Sequence, residues 1–144
     1  MGIAAMGKVL TPARVENVLD LYEAGLGNRA ADSVRRVDVA DALADTGATT
    51  LSLPRRMIVQ LGLIPLRNRH VRTPGGPVTV QMYGTVRLTV MGRDCTCDVL
   101  ELPDDCPVLI GQIPLELLDF VVDPNGQRLI GNLAHGGEHI KEIY

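Results

Sequence analysis

The residues best placed to do chemistry begin at Asp45. A small apolar run, Ala42-Leu43-Ala44, ends in that acid, and Thr46-Gly47-Ala48-Thr49 follows at once. A carboxylate held at the end of a buried strand could take a proton from water. The plain alternative is a turn, because Asp and Gly are ordinary turn formers. A second candidate set is the thiols Cys95, Cys97 and Cys106 with the imidazoles His135 and His139, which together could suggest zinc. Their spacing is not that of a zinc knuckle, and Cys95 and Cys97 fall on one face of a strand, which favours core thiols. His135-Gly136-Gly137-Glu138-His139 departs from H-E-x-x-H, and its glycines make a poor helix. That segment reads as a chain-end cap or an interface element. No metal and no cofactor is expected.

The elements around Asp45 must position it. Val37, Val39 and the run to Ala44 suggest a strand leading into the acid. Leu53–Gly62 then reads as a short helix, with Ser52 as a cap, Pro54 in the first turn and Gly62 at the end. Arg72-Thr73-Pro74-Gly75-Gly76-Pro77 is a turn. Val78, Val80, Met82, Val86, Leu88 and Val90 alternate, with a bend at Gly84, and Cys95, Cys97 and Val99 keep the alternation after Gly92-Arg93. Val78–Leu102 is therefore a hairpin. Pro107–Gly111 is a short buried strand, and Pro114–Leu118 gives a helical turn or two. Phe120–Ile130 is a second hairpin across Asp123-Pro124-Asn125-Gly126. The domain spans residues 34–130, and residues 131–144 form a C-terminal tail. Residues 1–33 are an N-terminal extension with two open readings. Val15, Val18, Leu19 and Tyr22 fit a helix started at Thr11-Pro12; Val9, Thr11, Ala13 and Val15 fit a strand equally well.

Composition narrows the function. The chain has 144 residues, 46% hydrophobic and 22% charged, which suits one folded domain with a core. One Phe, three Tyr and no Trp leave that core to aliphatic side chains and provide no stacking platform for bases. A net charge of -3 attracts no phosphate backbone, so no nucleic-acid partner is expected. No apolar run nears the roughly 20 residues that span a bilayer, and the first residues lack the pattern of a signal peptide. Three cysteines, an odd number, fit a reducing compartment, so the expectation is a cytoplasmic protein with no membrane partner.

Three segments, taken in order, resemble the retropepsin-like aspartic proteases, the single-lobe relatives of pepsin. ALADTGATTLSLP resembles the active-site loop, RTPGGPVTVQMYG the flap, and PVLIGQIPLELLDF the hydrophobic-hydrophobic-Gly segment with its following helix. The helix directly after the loop is closer to cellular and bacterial members than to viral ones. The resemblance implies a mostly β, single-lobe barrel or sandwich with one or two short helices. It implies an aspartic endopeptidase acting on a peptide or protein substrate, with Asp45 catalytic. Thr46, Gly47 and Ala48 would support the loop, Thr46 by bracing the paired loops across a two-fold axis. Pro74, Gly75, Gly76 and Pro77 would form the flap tip, and Leu109, Ile110 and Gly111 would pack behind the loop. The family often has a larger apolar residue where this chain has Ala44.

Counting acids adds a partner. Metal-free peptide hydrolysis needs both a base and an acid, and two carboxyls about 3 Å apart supply both because they share one proton. This chain has one Asp-Thr-Gly and is too short for two pepsin-like lobes. Given that mechanism, the second acid must come from a second copy, so a homodimer is expected. Two rivals stand beside this reading: a catalytically idle dimer of the same fold that binds peptides, and a Cys/His metal-binding β-domain.

Overall fold

The computed structural model describes residues 8–123, 125 and 127–140. Residues 1–7 of the extension, Pro124 and Gly126 of the second turn, and residues 141–144 of the tail lie outside the described residues.

The segment before residue 34 holds both of the elements left open. Strand β1 (Lys8–Asn17) runs directly into helix α1 (Val18–Gly25). In β1 the side chains of Val9, Thr11, Ala13 and Val15 are buried while Leu10, Pro12 and Arg14 are exposed, the period of two that a strand imposes. Pro12 starts no helix. It lies where the pairing of β1 with the next strand shifts between Thr11 and Ala13, a bulge that tolerates a missing N–H. The helix begins at Val18, six residues after Pro12, because Asn17 is extended and its side-chain oxygen accepts the Asp20 N–H at 3.0 Å. Leu19 and Tyr22 are 49% and 64% exposed, so only Val15 and Val18 of the supposed helical face are buried.

Strand β2 (Arg36–Asp45) buries Val37, Val39, Ala42 and Ala44 on its way to the acid. Next comes β3 (Leu51–Pro54), in which every residue is buried, and then α2 (Arg55–Leu61). Ser52 is thus a strand residue and caps nothing. Pro54 stands at the helix boundary with extended backbone, and the Arg56 N–H is satisfied at 2.7 Å by Asp104 Oδ1, far along the chain. Gly62, at φ +63°, ends α2 in the left-handed turn its lack of a side chain permits.

The remaining elements are β4 (Ile64–Thr73), β5 (Gly76–Val90), β6 (Arg93–Leu102), β7 (Leu109–Ile110), α3 (Gln112–Leu117), β8 (Phe120–Asp123) and β9 (Arg128–Gly131). Seven strands pair in the order β1-β2-β7-β3-β6-β5-β4, and β1 pairs with β5 as well, so the pairing closes on itself and leaves β4 outside the ring. Strands β8 and β9 form a separate hairpin. The chain is mostly β, as expected, with three short α-helices among the described residues where one or two helices were expected.

Leu51, Leu53, Leu61, Leu88, Ile110, Leu115 and Leu118 are fully buried, and Phe120 is the one aromatic side chain among the buried residues. Dense aliphatic packing of this kind costs about 2–5 kcal/mol for each Leu or Ile cut to Ala. The expected bend at Gly84 coincides with a register shift between Tyr83 and Val86. A methyl at Gly84 would run into Leu66 and lie 3.0 Å from Asp98 Oδ1, so glycine lets β4 and β6 approach there.

Two buried acids bind the outer elements to this body. Glu16 of β1 holds Arg36 of β2 and Arg87 of β5 at 3.2 and 2.8 Å. Asp20 of α1 accepts three N–H groups of Arg35, backbone and guanidinium, at 2.8–3.0 Å. Those bonds hold the Asp20 carboxyl at a pKa of about 2 despite its burial.

Candidate active site

Asp45 is delivered by an interior strand of the sheet. Strand β2 lies between β1 and β7, with Ala44 opposite Val9 on one side and Ile110 on the other. Ala44 and Ile110 are fully buried, so the backbone leading to the acid is fixed by packing on both edges. Ala44, smaller than the residue common in the resembled family, stands beside the larger Ile110.

The loop that follows is folded on the carboxylate. The Gly47 N–H donates to Asp45 Oδ1 at 2.9 Å, and the Ala48 N–H donates to the Asp45 carbonyl at 3.0 Å. A side chain on Gly47 would put a carbon 3.2 Å from that same Oδ1, crowding the acid. Asp45 is half-buried at the mouth of the loop and Thr46 is exposed beside it, so the acid is both oriented and open to a substrate.

Behind the loop lies the segment Leu109-Ile110-Gly111. Successive N–H groups of Gly111, Gln112 and Ile113 donate to the carbonyls of Thr50, Ala48 and Thr49 at 3.0, 2.9 and 2.9 Å. The first turn of α3 thus spends its free donors on the loop backbone. Gly111 allows this contact, because a side chain there would put a carbon 2.6 Å from backbone atoms of Thr49 and Thr50. The structure therefore brings Asp45, Thr46, Gly47 and Ala48 together with Leu109, Ile110 and Gly111.

Pro74, Gly75, Gly76 and Pro77 are placed elsewhere, at the far end of a two-stranded arm. Strand β5 pairs with β6 from Met82 to Val90, whereas Gly76–Gln81 pair with β4 alone. The turn is braced by the Thr73 hydroxyl donating to the Gly76 carbonyl at 2.7 Å, with Gly76 at φ +111°. The backbone of the turn is paired strand to strand, Arg72 opposite Pro77 and Thr73 opposite Gly76. Val78 is 42% exposed and Val80 only half-buried, so the apolar alternation of β5 buries little along the arm. A two-stranded ribbon with so little buried surface is marginally stable.

Two residues important to this geometry carried no local sequence signal. Asp98 on β6 joins the arm to the loop: its carboxylate accepts from Thr85 and Arg67 at 3.0 Å each, and its carbonyl accepts the Thr50 hydroxyl at 3.4 Å. Asp104 supplies the cap of α2 described above. The pairing that explains each lies in another strand or helix.

Among the described residues the thiols and imidazoles make other contacts. Cys95 and Cys97 pack against the core, and the hydrogen bond between the two thiols together with burial pushes the Cys97 thiol pKa upward, away from the thiolate a metal would need. His135 instead lies 2.6 Å from Asp119, and His139 reaches the Leu117 carbonyl, tying the tail to the end of α3. No group of three or more His, Cys, Asp or Glu is arranged for a metal among the described residues. No helix among them is long and apolar enough to cross a membrane.

A family model described as aspartyl protease, from the retropepsin-like clan, matches residues 33–113, more than half of the chain. The matched span runs from the approach to β2 as far as the first turn of α3, and so contains the loop, the arm and Gly111. No curated protein matches the chain.

Proposed function

We propose that this chain, which belongs to the aspartyl protease family, is an endopeptidase that works as a homodimer, with Asp45 of each copy flanking one water. The observation that carries the reading is the Asp-Thr-Gly loop, with its carboxylate bonded to the Gly47 N–H and its backbone seated on Gly111, inside the span the family model matches. One chain offers one such carboxyl, and the chemistry asks for two.

In the dimer the roles divide. One carboxylate takes a proton as the water oxygen attacks the peptide carbonyl, and the protonated partner gives its proton to the carbonyl oxygen. Collapse of the tetrahedral adduct breaks the C–N bond and passes a proton to the departing nitrogen. The Gly47 N–H keeps Oδ1 in place throughout. Thr46 braces the two loops across the axis, and small Ala48 leaves room for substrate backbone. The peptide lies extended between loop and arm, and closure of the Pro74–Pro77 tip excludes water.

The test compares wild type with Asp45→Asn on a peptide mixture from acidic to neutral pH. The expected outcome is a loss of at least about 100-fold in turnover with folding unchanged. Specific activity should fall on dilution, and excess Asp45→Asn protein should suppress wild type by forming mixed dimers. Equal cleavage by both proteins sinks the proposal. Peptide binding without cleavage by either assigns the chain to the idle, peptide-binding form of the same dimer.

A further inference from the structure

We propose that the outer edge of β4 selects the substrate, by docking an extended acidic segment of the polypeptide whose carboxylates, spaced three residues apart, meet Arg69 and Arg72. The proposal rests on the peptidase reading and names the class of substrate it acts on.

The argument begins with the edge. Strand β4 is last in the sheet and pairs only with β5. Every second residue of such a strand turns its N–H and C=O outward, ready for another strand. Its charge is one-sided. Residues 64–81 contain Arg67, Arg69 and Arg72 and no Asp or Glu, in a chain whose net charge is -3. Arg67 is already held by Asp98 at 3.0 Å. Arg69 and Arg72 are exposed and have no carboxylate partner among the described residues.

Register turns this into a sequence requirement. Arg69 stands opposite Val80 and Arg72 opposite Pro77, so the two guanidinium groups project from opposite faces of the arm. A strand added to the edge places its own side chains about 4.5–5.5 Å from those directly across. Two acids three apart then fall one on each face, each beside one arginine. Two acids two apart share a face and reach only one. The occupant is a polypeptide rather than a nucleic acid because the outward amides and carbonyls are matched only by another backbone. The competing explanation is that these charges merely keep two edges from pairing.

The experiment uses peptides that share one cleavable apolar segment and carry, outside it, Asp pairs spaced three apart, Asp pairs spaced two apart, or Asn at the same positions. KM and kcat are measured for wild type and for Arg69→Gln/Arg72→Gln. The same peptides, fluorescently labelled, are titrated by anisotropy against Asp45→Asn protein with and without the arginine changes. For wild type, KM for the three-apart peptide should be about fivefold below that of the Asn peptide, with kcat unchanged and the advantage fading as salt rises. The double variant should lose the advantage and treat the Asn peptide as wild type does. Arg69→Lys should retain most of it. The proposal is overturned if acidic and neutral peptides bind wild type alike, if both acid spacings gain equally, or if the double variant keeps the preference and differs only in aggregating. Should no peptide be cleaved while the Asp45→Asn titration still shows the arginine-dependent preference, the docking edge stands and the peptidase reading falls.

Discussion

Asp45–Thr50 hangs between two interior strands, while Pro74–Pro77 joins two strands whose outer ends pair only with each other. Both stretches are short, rich in small residues and built around glycine. The first is pinned on three sides: by buried Ala44 before it, by buried Leu51 after it, and by the N–H groups of Gly111, Gln112 and Ile113 beneath it. The second is held by its own turn and by β4, whose residues are nearly all exposed. The contrast teaches how one sheet serves two demands. A catalytic acid needs a fixed direction, which packing on all sides supplies. A cover needs a low cost of opening, which follows from having little to unpack.

One substitution made in both regions gives the strongest test. Gly111→Ala forces a carbon to within 2.6 Å of the Thr49 and Thr50 backbone, and a backbone neighbour cannot rotate away. Overpacking of this kind costs about 1–3 kcal/mol, and the strain falls on the loop that aims Asp45. Gly75→Ala meets only the Thr73 hydroxyl at 3.8 Å. Its cost should stay within about 0.5 kcal/mol. Thermal melts of the two variants check the stability difference, and peptide cleavage should fall far more for Gly111→Ala than its melting point explains. Equal melts would break the comparison.

Acid provides a second test, because carboxylates are distributed unevenly. Residues 64–81 contain none, whereas the body relies on Asp20 and Asp119, each held at a pKa of about 2, by Arg35 and by His135 respectively. A lowered folded-state pKa means that the unfolded chain binds the proton first. The stabilisation is complete above about pH 4 and is lost as pH falls toward 2. Asp20→Asn should cost about 2 kcal/mol at neutral pH, because Arg35 loses its charged acceptor. Urea midpoints of wild type and variant should converge between pH 5 and pH 2. A gap that stays constant over that range would show that the charge of Asp20 contributes nothing.

These contrasts also explain what the sequence made legible. The strand before the loop follows from local pattern, because its buried apolar residues repeat with the strand, whereas the loop and Gly111 are marked by the order of three short segments along the chain. Strand β4 carries no such signal, because it is exposed on both faces and no apolar period marks Ile64–Thr73. The end of strand β3, Leu53-Pro54, reads as the start of a helix: Leu51, Ser52 and Leu53 are buried on both faces, which removes alternation, and Ser52 before Pro54 imitates a cap. The true cap of α2 is Asp104, a contact between distant segments that no local rule encodes. Pro12 misled in the other direction, since a proline that opens helices also suits a bulge. At the site, Asp45 was visible from its neighbours, whereas Asp98 was not, because its partners come from β4, β5 and the loop.

Asp98 supplies the finest test, since it is where the two regions meet. Its carboxylate holds Arg67 of β4, and the pair is 30% and 48% exposed, so the attraction is partly screened by water. Asp98→Asn keeps an oxygen for the Thr85 hydroxyl and removes the charge. The global cost should be below about 1 kcal/mol, a shift of only a few degrees at most in the melting point. The local consequence is larger than the global one, because the arm has few other attachments to share the load. Amide exchange along the part of β5 paired only with β4 should quicken several-fold, whereas amides of Leu43, Ala44 and Ile110 should open only with the whole molecule. If exchange quickened equally in β2, β7 and the arm, the two regions would be one cooperative unit and the division of labour drawn here would fail. If the arm alone responds, Asp98 is the hinge-side anchor. On the proposed peptidase reading, closure of the arm would then depend on a carboxylate outside the Asp45 loop.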